Sequence, residues 1–171
     1  MSRPEKTEYA GYYEKYVSLV IENDVDFAMQ NQLTELTSVF ASIPEEKGAF
    51  AYAPDKWTIK ELVGHLIDGE RIFAYRALRF ARADKTPVEG FEQDDYIANA
   101  DFNSIKLAAL VEELSLLRRA NILFFKNLTA EMLVQTGTAS NAQVSVRALA
   151  FIMVGHIRHH LNILNERYLA Q

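Results

Sequence analysis

Four stretches of this chain repeat apolar residues at intervals of three and four, a period that admits little except amphipathic helices packed on one another. The first runs from Asp24 to about Ile43 through Val25, Ala28, Met29, Leu33, Leu36, Val39 and Phe40, and must stop before Pro44. The second opens on the capping pair Thr58 and Glu61, carries Leu62, Leu66, Ile72 and Phe73, and reaches about Arg82. The third takes Ser104 as its cap and continues to about Leu128 through Leu107, Leu110, Val111, Leu114, Leu117, Ile122 and Phe125. The fourth begins near Ser145 and ends about Tyr168, with Leu149, Ile152, Met153, His156, His160, Ile163 and Leu164 on one stripe. The expected fold is all-α: a four-helix bundle in one domain spanning 1–171, with the bundle over 24–171. Residues 1–22 show no sustained period and read as an extended N-terminal arm lying over it.

The connections constrain the helix order. Residues 83–103 contain Pro87 and Gly90 and are long for a link inside a compact domain. Helices of roughly 24 residues are about 36 Å long, and about a dozen extended residues return that distance. Helices two and three can therefore run parallel, and simple up-down order is not required. The stretch through Gly137 and Asn141 reads as irregular.

Composition removes several function classes. The 171 residues include no cysteine, which excludes disulfides, thiolate metal clusters and a cysteine nucleophile, and suits a reducing cytoplasm. A formal net charge of -5 offers no basic surface for nucleic acid. The N-terminus lacks a basic segment followed by an apolar core, and the longest apolar run, Ala148 to Gly155, is far too short to span a bilayer. The expectation is a cytoplasmic protein with no membrane or nucleic-acid partner. No G-x-S-x-G elbow, Walker loop or dinucleotide fingerprint is present, which leaves metal-assisted chemistry.

That chemistry has candidates in the histidines. There are four, and three of them, His156, His159 and His160, crowd into helix four, while His65 sits in helix two. Residues four apart differ by about 40 degrees around a helix, so His156 and His160 aim at a common point from adjacent turns. Their stripe faces the bundle interior, where uncoordinated imidazoles would need buried partners. His65 shares a helix side with Leu62, Leu66, Ile72 and Phe73. Three imidazoles converging there would suit zinc, nickel or ferrous iron with a coordination position open, with Gly64, Gly69 and Gly155 leaving room beside them. Spacing alone leaves ordinary core histidines, and a pairing of His156 with His159, open. Flanked by Arg158 and Asn162, His159 is placed for the surface or the rim of a pocket.

Other residues have secondary roles in prospect. Asp68, three after His65, is placed to accept a proton or orient an imidazole. Arg76 lies about 20 degrees from His65 around the helix axis and is a candidate for a buried salt bridge or for substrate binding. Tyr96, with Asp94 and Asp95 in the long connection, is placed to cover the site as a lid. His159 completes the substrate-binding candidates.

Taken together, KWTIKELVGHLIDGERIFAYRALRFAR, GFEQDDYIANADF and GHIRHHLNIL resemble the DinB-like superfamily of metal-binding four-helix bundles, which includes YfiT-type proteins. The resemblance covers nearly the whole chain, including EYAGYYEKYVSLV in the arm. It implies one divalent metal ion on His65, His156 and His160, which match the family's single histidine of helix two and H-x-x-x-H pair of the last helix. It also implies a metal-dependent enzyme activating a thiol or water. The activities it suggests are a thiol S-transferase using a low-molecular-weight thiol such as bacillithiol, mycothiol or glutathione, with a hydrolase as the alternative and a non-catalytic metal or small-ligand binding protein as a third. A homodimer is expected by the same resemblance.

Overall fold

The computed structural model describes residues 1–170. The arm is not extended. It winds through single turns at Lys6–Glu8 and Gly11–Tyr13 into a short helix α1, Glu14–Val17. The cause is a four-residue spacing that is easy to miss among the charges: Tyr9, Tyr13 and Val17, followed by Val20, are all buried. Polar ties fix the arm to the body. Glu8 accepts hydrogen bonds from Ser145 and Arg147, Glu22 pairs with Arg158, and the N-terminal ammonium with Asp24.

Helix α2, Val25–Ala41, is capped by the Asp24 carboxylate, which accepts from the Asp26 amide at 3.0 Å. Helix α3, Ile59–Ala81, starts on the expected reciprocal box: the Glu61 amide donates to Thr58 Oγ1 at 3.1 Å, and the Thr58 amide to Glu61 Oε2 at 2.7 Å. The long connection contains a short helix α4, Gln93–Ala98. Helix α5, Leu107–Lys126, begins later than expected, because Ser104 closes a separate turn and donates to the Asp101 carbonyl instead. The capping function falls to Glu45, whose carboxylate accepts from the Leu107 amide at 2.9 Å and places an anion at the helix N-terminus. After α6, Ala130–Leu133, the stretch expected to be irregular forms a hairpin of β1, Thr136–Ala139, and β2, Ala142–Ser145. Ser140 and Asn141 turn it with φ of 50° and 62°, the left-handed pair that a tight two-residue hairpin requires. Ser145 then caps α7, Val146–Ile163, by accepting from the Ala148 amide at 3.0 Å, and the winding widens to π-type over Leu164–Leu169.

Four long helices thus make the bundle. Asn103 donates to Glu61, and Arg118 and Asn121 to Glu70, so α3 and α5 run in the same direction. Helix α7 opposes α3, bringing the start of one to the end of the other. The crossover that permits the parallel pair is itself pinned to the hairpin: the Val88 amide donates to the Thr138 carbonyl at 2.9 Å, and the Ser140 amide to Val88 at 3.0 Å. No helix among the described residues is long and apolar enough to cross a membrane.

At mid-bundle the core is polar. Glu70, 2% exposed, accepts from Arg118 at 2.6 Å and from Asn121 at 2.8 Å, and Arg118 also donates to the Met153 carbonyl of α7 at 3.3 Å. One carboxylate therefore links α3, α5 and α7. Glu70→Ala leaves a buried guanidinium without its counter-charge and should lower unfolding stability by about 3–5 kcal/mol, read as an earlier urea midpoint.

Candidate metal centre

Helix α3 delivers His65, and α7 delivers His156 and His160 from successive turns. Their exposures are 4%, 5% and 9%. One nitrogen from each ring lies within 4.8 Å of the others, and Nε2 of His65 is 2.9 Å from Nε2 of His156. A tetrahedral ion with bonds of about 2.05 Å has ligand edges of roughly 3.3 Å, a length inside this range. The donor set also fits: three buried imidazoles share one point, and among the described residues none makes a hydrogen bond to a carboxylate that would give it a separate structural use.

Burial fixes the protonation state. Desolvation, helped by the charge of His159, lowers the His65 pKa to about 4. His156 and His160 are pushed well below the ordinary imidazole range, first by desolvation and then by the other histidines around them. All three are therefore neutral at pH 7, the form that offers a lone pair to a cation.

Aromatic rings wall the triangle. Trp57 lies 4.8 Å from His65 and 6.5 Å from His160 between ring centroids, stacked on the latter. Tyr16 from the arm meets His156 edge-on at 5.3 Å, and Phe73 does so at 5.6 Å. Neither Trp57 nor Tyr16 was among the sequence candidates. Trp57 is the sole tryptophan and sits just ahead of the α3 cap, whereas Tyr16 had no local signal.

The three glycines divide. Only Gly69 borders the triangle, where an added Cβ would sit 3.0 Å from His156 Cε1. Gly64 is bare because the Phe102 ring lies against it, and Gly155 because the Tyr16 backbone does. Those two serve packing of the crossover and the arm, not space for an ion.

Two cavities reach the histidines. One of about 310 Å³ is bounded by His65, His156, Gly69, Phe73, Arg76 and the arm tyrosines. The other, about 460 Å³, is bounded by His160, Trp57, Tyr52 and Tyr168. Gln93 and Asp94, at the start of α4, border both. A larger groove of about 500 Å³ between α2 and α5 contains none of the histidines.

The remaining candidates fare differently. Asp68 borders neither cavity; it is partly buried, with its pKa raised by desolvation against the pull of Arg71. Tyr96 packs on Phe91 at 5.0 Å, is 47% exposed and borders neither of the two cavities, whereas Asp94, two residues earlier, borders both. His159 stands outside the triangle between Tyr16 at 5.4 Å and His160 at 5.1 Å. Arg76 is buried as expected, but no carboxylate among the described residues pairs with it; it donates to Ser140 Oγ at 2.9 Å and to the Glu89 carbonyl at 3.1 Å. Its polar partners come from the hairpin and the crossover.

Metal-free protein should lose stability as pH falls from 6.5 toward 4. The folded state resists protonating His65 while the unfolded state does not, so the unfolded chain binds more protons across that window and stability rises with pH. The His65 contribution lost by pH 4.5 is about 2–3 kcal/mol, measured as the difference in urea unfolding between the wild type and His65→Gln at each pH.

Comparisons with known proteins bear on this arrangement. The family model of the DinB superfamily matches residues 28–164. A relative from Oceanobacillus iheyensis, provisionally named a metal-dependent hydrolase, is 26% identical over 122 residues, covering 70% of this chain and 69% of its own. Among solved structures, YfiT from Bacillus subtilis, described as a probable metal-dependent hydrolase with an unusual four-helix bundle topology, superposes with a TM-score of 0.74 at 14% identity, over 98% of this chain and 91% of its own.

Proposed function

The chain belongs to the DinB superfamily, and from that premise we propose that it is a metal-dependent hydrolase of a small molecule, with His65, His156 and His160 holding one divalent ion. The observation that carries this reading is the triangle of three buried, neutral imidazoles with a cavity on either side. The names of the two relatives favour hydrolysis. Zinc, nickel and ferrous iron all suit the donor set. A divalent ion at this point supplies Lewis-acid chemistry, making water acidic enough to yield a nucleophile near neutral pH.

The chain's own residues supply the rest. Because the imidazoles are already neutral at pH 7, binding an ion there displaces no proton from them. Trp57, Tyr16 and Phe73 exclude bulk water from the flanks of the triangle, which strengthens electrostatic interactions inside it. Asp94 is a carboxylate bordering both cavities, and we assign it the proton taken from the attacking water. The open cavities favour turnover over a purely binding role.

A thiol S-transferase is the second reading. The chain contains no cysteine, so a reacting thiol would have to come from outside, and neither relative is named for that chemistry. Product formation with water alone identifies the hydrolase, and product that forms only with added glutathione or bacillithiol identifies the transferase.

Metal analysis should find about one divalent ion per wild-type chain and a near-complete loss in each of His65→Ala, His156→Ala and His160→Ala. Full metal retention by His156→Ala would overturn the site. In a screen of small esters and amides, Asp94→Asn should keep its metal and lose about 100-fold in kcat.

A further inference from the structure

We propose that Arg76 holds a carboxylate of the substrate in the cavity that opens on His65 and His156. This deepens the hydrolase reading and rests on it only for the role of the neighbouring ion.

A guanidinium is costly to bury without an anion. Arg76 and Arg118 are the largest fully buried side chains in the protein, and Arg118 has its carboxylate in Glu70. Arg76, 2% exposed, has no such partner among the described residues. Its hydrogen bonds go to neutral oxygens: Ser140 Oγ, the Glu89 carbonyl and, at a long 3.5 Å, the Tyr13 hydroxyl. Its Nε is buried with no acceptor among the described residues, as are Nε and Nη1 of Arg118, so the missing counter-charge is what sets Arg76 apart. Five N–H donors thus meet three neutral acceptors and no charge.

The residue is held in place. Ser140 sits at the tip of the β1–β2 hairpin with φ of 50°, a backbone conformation unfavourable for a residue with a side chain. Its own amide is fixed by Val88, and the Glu89 carbonyl that receives Arg76 comes from the next residue of the crossover. Two segments distant in sequence thus converge on one guanidinium, and their oxygens orient it without neutralising it.

Arg76 shares its cavity wall with His65, His156, Phe73 and the arm residues Tyr12 and Lys15. Glu92 and Asp94 also border this cavity, but both are exposed and neither pairs with Arg76. A volume of about 310 Å³ is at the small end for a ligand pocket. The substrate class is therefore a small acid whose scissile ester or amide lies toward the histidines and whose carboxylate lies on Arg76, the geometry an arginine matches well.

The test is calorimetric and reads no turnover, so its failure is separate from failure of the hydrolase reading. Butyrate, butyramide and inorganic phosphate are titrated into metal-loaded full-length protein and into chelator-stripped protein. Butyrate should bind at least tenfold more tightly than butyramide in both samples, and Arg76→Met should abolish that preference while keeping its metal. Arg76→Lys, which keeps the charge but not the planar fork, should retain a reduced preference, and it decides the matter should the methionine variant fail to fold. A preference that vanishes on stripping the metal, or survives in Arg76→Met, overturns the assignment to Arg76; tighter binding of phosphate overturns the carboxylate.

Discussion

The buried carboxylate of Glu70 sets the register on which the rest of this molecule depends. Apolar stripes alone would let α3, α5 and α7 slide by a turn at modest cost, since Leu, Ile and Val contacts are interchangeable. Glu70 is not interchangeable: with Arg118 and Asn121 it makes hydrogen bonds from α5, and Arg118 reaches on to the Met153 carbonyl of α7. Glu70 lies five residues beyond His65, and Met153 three before His156. The ionic link therefore sits about one turn from the imidazoles and holds both helices in the alignment that closes their triangle. A polar group that adds little net stability can still specify a unique packing in this way.

Around that register the arm and the crossover complete the site. Gly155 lets the backbone at Tyr16 lie directly on α7, which carries the Tyr16 ring to the edge of His156. Gly64 lets Phe102 lie on α3 in the same manner. These glycines have no conformational task, as neither has a positive φ; what they provide is close approach of a second segment. The result is a pair of cavities whose walls come from the arm, the loop before α3, α3 itself, the crossover, the hairpin tip and α7.

Much of this was legible in the sequence. The three-four period located the long helices, the T-x-x-E box and Ser145 marked two of their starts, and the phase of His65, His156 and His160 placed them on inward stripes. The length of residues 83–103 allowed the parallel α3 and α5. What escaped were features decided by tertiary partners. Leu107 takes its cap from Glu45, 62 residues away, so Ser104 misled. Val17 is buried where α1 packs on α7, and Tyr13 where it meets Phe73 of α3, so the burial of this stretch comes from its tertiary partners. The β-hairpin turns on Ser140 and Asn141, a weaker signal than Asn-Gly, between strands of only four residues. Arg76 was correctly placed inside, but its lack of a carboxylate partner is a property of the assembled walls that no helical phase encodes.

The distance along the chain between the two halves of the histidine triangle has a kinetic meaning. His65 and His156 stand 91 residues apart and meet across an antiparallel contact that forms only after the crossover has carried the chain back along the bundle. Local turns of α2, α3 and α5 can form early, but closing so long a loop is slow relative to winding a helix. During synthesis the first imidazole therefore waits, without its companions, until α7 has been made and docked. The proposed ion would therefore meet all three imidazoles together only on a nearly finished fold.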